Sequence, residues 1–80
     1  MTDLVADIEL DTKGLKCPEP VMMLHRKIRK MAVGEIVKVI ATDPATARDI
    51  PSFCEFLPNE LLRSDVVGDD YIYWLKKGQR

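Results

Sequence analysis

Eighty residues, 46% apolar and 31% charged, can bury one modest core, so a single domain over residues 1–80 is expected and a deep enclosed substrate cavity is not. A formal net charge of −1 offers no general attraction for a nucleic-acid backbone, and no apolar run approaches the roughly 20 residues needed to cross a bilayer. The start Met1-Thr2-Asp3-Leu4 lacks the basic and then apolar character of a signal peptide, which makes a cytoplasmic location the expectation and Cys17 and Cys54 thiols rather than a disulfide.

Along the chain, Ala6-Asp7-Ile8-Glu9-Leu10-Asp11 alternates apolar and acidic residues with the two-residue period of a half-buried strand. After Thr12-Lys13-Gly14-Leu15-Lys16, the segment Cys17-Pro18-Glu19-Pro20 opens a helix running to about Met31, with both prolines in the first turn, where a missing N–H breaks no intrahelical bond. Val21, Leu24, Ile28 and Met31 form its core-facing stripe. Its outward side carries Met22 or Met23, then His25, Arg26, Lys27, Arg29 and Lys30. Gly34 marks the helix exit, and Glu35–Ala41 is rich in β-branched residues, as a central strand should be.

Asp43 is the expected N-cap of a second helix, with Pro44 its first residue. Pro51 is expected to kink that helix or divide it into two short pieces, beyond which Phe53, Cys54, Phe56 and Leu57 continue an apolar face. Leu61–Val67 and Tyr71–Lys77 read as strands joined by the turn Gly68-Asp69-Asp70. The order βαβαββ implies an α+β, two-layer sandwich, with both helices on one face of a mixed four-stranded sheet whose first two strands are parallel.

Cys17 is the sharpest chemical feature. It falls between a strand-exit loop and a helix start, where the positive end of the helix dipole favours a thiolate, the species that attacks a disulfide or persulfide sulfur. Against this, Pro18 and Pro20 remove two N–H groups and Glu19 adds a negative charge, which Lys13 and Lys16 offset. Cys54, between Phe53 and Phe56, reads as a core thiol. Two distant cysteines and one histidine do not make a zinc site, and without a CxxC motif Cys17 has no resolving partner. His25 is too far along the helix to be a base for Cys17 and reads as a surface side chain. The stripe Arg26, Lys27, Arg29 and Lys30 is a solvated face or, beside an exposed methionine, a docking surface. Asp43 and Arg48 lie on the same strand-end side as Cys17, with capping and a surface ion pair as their plain structural roles.

At Leu15-Lys16-Cys17-Pro18-Glu19-Pro20-Val21-Met22-Met23 and Asp43-Pro44-Ala45-Thr46-Ala47-Arg48-Asp49-Ile50-Pro51 the chain resembles the TusA (SirA/YhhP) family of sulfur carriers over nearly its whole length. That resemblance implies the same βαβαββ fold and a stoichiometric, sulfurtransferase-type relay that uses no cofactor. A cysteine desulfurase loads Cys17 with a persulfide and a downstream sulfur-relay complex or acceptor removes it. It carries over a docking surface of Glu19, Met22, Asp43, Arg48 and Phe56, and the Cys-Pro-Glu-Pro-Val-Met-Met and Asp-Ile-Pro-x-Phe-Cys stretches lean toward the branch that supplies 2-thiouridine to tRNA wobble positions. Other branches serve sulfur oxidation or molybdenum cofactor supply. The residues themselves leave two rivals open: a noncatalytic regulatory or RNA-associated module, and a redox-sensing thiol of low pKa.

Overall fold

The computed structural model describes residues 6–56 and 59–78, with the side chain of Phe56 outside the described set. Element order is β1 (Ile8–Thr12), α1 (Glu19–Lys30), β2 (Ile36–Ala41), α2 (Thr46–Phe56), β3 (Glu60–Val67) and β4 (Asp70–Lys76). The sheet runs β1-β2-β4-β3, with β1 parallel to β2 and the other two pairs antiparallel. This is the expected mixed sheet.

Side-chain alternation assigns the two faces. Leu10, Val37, Val39, Tyr73 and Leu75 point inward and meet Leu24 and Ile28 of α1 and Ile50 and Phe53 of α2, so both helices cover one face. Leu24, Val37, Val39, Ile50 and Leu75 lose all contact with water. On the other face Trp74 lies beneath two cations, with Lys38 Nζ 5.8 Å and Arg63 Cζ 5.3 Å from its ring centroid.

Of the expected stripe on α1, Leu24, Ile28 and Met31 are buried and Val21 packs at the edge of the core. Met23 also packs there while Met22 stays 49% exposed, which decides between the two methionines. The helix begins at Glu19, so Cys17 precedes it by two residues instead of opening it. At the far end Met31 donates its N–H to the Ile28 carbonyl, and Lys77 Nζ donates to the Met31 carbonyl at 2.6 Å.

Pro51 sits inside α2, which is one element where two pieces were the alternative expectation. Burial of Ile50 and Phe53 on either side of the proline anchors both halves to the same core, which offsets one lost hydrogen bond. The closing hairpin is tighter than expected: Val67 pairs with Asp70, leaving Gly68 and Asp69 as a two-residue connection. Gly68 adopts φ 62°, the left-handed value that the first position of such a turn requires and that favours glycine.

Candidate functional site at Cys17

Two loops at the carboxyl ends of the parallel strands β1 and β2 build the site. Leaving β1, the chain is tied down by Thr12, whose buried hydroxyl donates to the Ile40 carbonyl at 2.7 Å, and by Gly14, whose N–H donates to Thr42 Oγ1 at 2.9 Å. Leaving β2, Asp43 accepts from the Ala45 N–H at 3.1 Å through Oδ1, a capping-type bond in the turn before α2; the helix itself begins at Thr46 and not at Pro44 as expected, because Pro44 and Ala45 are taken up in that turn. The other Asp43 oxygen, Oδ2, accepts the Cys17 N–H at 2.6 Å. One carboxylate thus orders the turn that leads into α2 and fixes the backbone of Cys17.

Behind this junction Thr46 is buried and donates its hydroxyl to the Asp43 carbonyl at 2.7 Å. Tyr73 Oη lies 3.0 Å from the same hydroxyl. Because the single Thr46 proton points at Asp43, Tyr73 is the donor of that second bond. A chain of hydrogen bonds therefore runs from the sheet through Tyr73, Thr46 and Asp43 to the peptide of Cys17.

The thiol itself is exposed, and the Cys17–Pro18 peptide is cis. Cys17 Sγ donates to Asp49 Oδ2 at 3.0 Å, while Arg48 Nε stands 3.6 Å from the other Asp49 oxygen. The Asp49 hydrogen bond first, then partial desolvation and the charges of Asp49 and Asp43, hold the Cys17 thiol above its ordinary pKa; Arg48 acts in the opposite direction. The thiolate-favouring effect expected from the helix start is corrected on this point. Pro18 and Pro20 have no N–H to offer, and the Glu19 N–H is already donated to the Lys16 carbonyl at 2.9 Å. Asp43 moves the other way, its carboxyl held below the ordinary range by the Cys17 and Ala45 N–H groups, with Lys16 adding in the same sense. Lys13, expected to offset Glu19, stands 4.0 Å from Asp70.

Asp43, Arg48 and Cys17 are therefore brought together, as their shared strand end implied. Asp49 joins them and was missed. An acidic residue in the first turn of a helix reads as a complement to the dipole, and nothing in the spacing shows that it reaches a thiol 32 positions earlier. Glu19 and Met22 are exposed on the first turn of α1. Phe56, assigned to the same surface from sequence, has its side chain outside the described residues.

Farther along α1, Arg26, Lys27 and Lys30 line a shallow open groove of about 200 Å³ whose floor is Leu10 and Met23. His25 is exposed and rests edge-on against Phe53, with ring centroids 5.9 Å apart. Cys54 packs against the core, and burial pushes its thiol up to about 11. Among the described residues no group of three or more His, Cys, Asp or Glu side chains converges as a metal ion would require, and no helix is long and apolar enough to cross a membrane.

Comparisons with known proteins bear on the family and the fold. The family model described as Sulfurtransferase TusA matches residues 8–77, from the first residue of β1 to just beyond β4. Two similar relatives, both called Sulfur carrier protein TusA, come from Pseudomonas entomophila (strain L48) and Pseudomonas putida (strain W619). They are 57% and 56% identical to the chain over 77 residues, each alignment covering 96% of both sequences. In structure the chain resembles a SirA-like protein from Desulfitobacterium hafniense, with a TM-score of 0.71 over 90% of this chain and 99% of that one; at 20% identity this likeness speaks for the fold alone. With the family model spanning both helices and all four strands, and more than half of the residues shared with relatives of nearly equal length, the chain belongs to the TusA family.

Proposed function

We propose that this protein is a cytoplasmic sulfur carrier in which Cys17 accepts sulfur from a cysteine desulfurase, holds it as a persulfide and passes it to a downstream relay complex, ending in 2-thiouridine at tRNA wobble positions. The observation that carries the reading is an exposed thiol outside any helix, its peptide N–H held by Asp43, in a chain of the sulfurtransferase family. A carrier needs its sulfur reachable by two different partners in turn, and a rigid anchor beside an open side chain provides both.

In loading, the Cys17 sulfur attacks the outer sulfur of the donor's Cys–S–SH, a new S–S bond forms, and the donor's own S–S bond breaks with its electron pair leaving on the donor cysteine. Delivery repeats the step with the acceptor thiolate as attacker. The sulfur moves between thiols with no net oxidation, so no cofactor takes part.

Docking falls to the surface around the thiol, with Glu19, Met22, Asp43 and Arg48, and the cations of α1 extend it. Met22 gives an adaptable apolar contact and Arg48, its side chain 80% exposed, a charged one. A redox sensor asks for a lowered thiol pKa, and Cys17 is displaced upward. RNA binding asks for a basic domain, and the net charge is −1.

The test is mass spectrometry of the reduced protein after incubation with an active cysteine desulfurase and cysteine. One added sulfur on the Cys17 peptide, removable by reductant, is expected; Cys17→Ser abolishes it and Cys54→Ser retains it. Loading that survives Cys17→Ser overturns the assignment.

A further inference from the structure

Resting on the carrier reading, we infer that Asp49 is a latch on the transferable sulfur: its carboxylate holds the Cys17 Sγ–H by a direct hydrogen bond in the free protein, and loading requires the donor to break that bond. The distance of 3.0 Å from Sγ to Oδ2 puts Asp49 in contact with the reacting atom. Its side chain is only 23% exposed, and Arg48 Nε stands 3.6 Å from its second oxygen.

The charged groups around the sulfur are few and have distinct positions. Asp49 and Arg48 belong to α2, Asp43 to the loop before it, Lys16 to the loop carrying Cys17, and Glu19 to the start of α1. Among the described residues only Asp49 bonds the sulfur; Asp43 is occupied by the Cys17 and Ala45 N–H groups. A carboxylate can accept a proton-bearing group but cannot donate to a thiolate. The arrangement therefore favours the neutral thiol, in agreement with the upward displacement of its pKa.

The chemical consequence is selectivity. An exposed cysteine with free thiolate would react with any small electrophile or oxidant, whereas a latched thiol reacts when a docked partner pulls the carboxylate away. Arg48, next to Asp49 and largely in solvent, is the group a partner can move, and a cation on the donor can serve the same end. On release the Sγ proton passes to water and the thiolate attacks the donor's outer sulfur. The donor cysteine leaves as a thiolate that regains a proton from water. The balance is Cys17–SH plus R–S–SH giving Cys17–S–SH plus R–SH.

The experiment is the pH dependence of Cys17 alkylation by iodoacetamide in the full chain, followed by mass spectrometry of the Cys17 peptide in a Cys54→Ser background. Asp49→Asn replaces an acceptor-only group with one that can donate to a thiolate, so the midpoint should move to lower pH and the rate near neutrality rise on the order of threefold to tenfold, with the high-pH plateau unchanged. Asp49→Glu should restore slow alkylation, and Arg48→Ala should move the midpoint upward. General loosening of the loop would raise the plateau instead. An unchanged midpoint, a raised plateau alone, or slower reaction in Asp49→Asn overturns the latch. If the midpoint shifts but a desulfurase never loads Cys17, the carrier reading fails while the hydrogen bond stands. Normal loading with an unshifted midpoint sinks the latch alone.

Discussion

Replacing Thr46 by valine keeps the shape of a fully buried side chain and deletes the hydroxyl that joins the sheet to the sulfur loop. Tyr73, itself buried, is left with an O–H donor and no partner, and the Asp43 carbonyl loses one of its two donors, retaining the Thr46 N–H at 3.0 Å. A buried group stripped of its partner costs about 1–3 kcal/mol, so Thr46→Val should destabilise by about 2 kcal/mol. For a domain of this size that is a fall in Tm of roughly 8–16 °C. Tyr73→Phe removes the donor while Thr46 keeps its own bond to Asp43, and should cost less, about 0.5–1.5 kcal/mol. The double variant leaves no unpaired hydroxyl, so its cost should fall below the sum of the two by about 1 kcal/mol. Urea and thermal unfolding followed by far-UV circular dichroism supply all four corners of the cycle. Strict additivity would refute the reasoning, because it would mean that the two hydroxyls contribute nothing to each other.

Elsewhere in the molecule, Leu24→Ala opens a cavity where α1 meets the sheet and should cost about 2–5 kcal/mol, whereas Met31→Leu, which nearly conserves volume, should stay under about 1.5 kcal/mol by denaturant titration. Cys54 sets part of the alkaline limit. Its thiol titrates at 9.0 in an unfolded chain and about 11 in the fold, so its contribution is complete below pH 9 and is lost as pH rises through that window. Tyr73, raised mainly by desolvation, adds a loss of the same sign above pH 10. Cys54→Ala should therefore flatten the decline of Tm between pH 9 and 11, and an equally steep decline would remove the thiol as its cause.

Much of the architecture was legible because periodicity reports burial directly. Leu24 and Ile28 fall on the helix face where the pattern put them, and the β-branched run of β2 takes the expected central place in the sheet. Asp43 was legible in part: Asp-Pro after a strand is a local capping signal and its carboxylate does accept the Ala45 N–H, but the helix begins at Thr46, two residues beyond Pro44. What failed was long-range or depended on compensation. The continuity of α2 through Pro51 rests on tertiary packing of Ile50 and Phe53, which no local rule for proline contains. The place of Cys17 near a helix start pointed toward a thiolate without fixing its pKa, and the group that pushes the thiol the other way, Asp49, comes from another helix. The line of sequence singles out a candidate thiol more readily than the groups that restrain it.

Trp74, the chain's one tryptophan, gives the protein a built-in optical reporter. Its indole sits on the helix-free face beneath Lys38 of β2 and Arg63 of β3, so its surroundings depend on three adjacent strands staying paired. Emission from this ring should respond to separation of those strands and to salt that weakens the two cation contacts. The sulfur loop is on none of these strands. Fluorescence can thus follow folding continuously and without a label, leaving Cys17 unmodified for the chemistry.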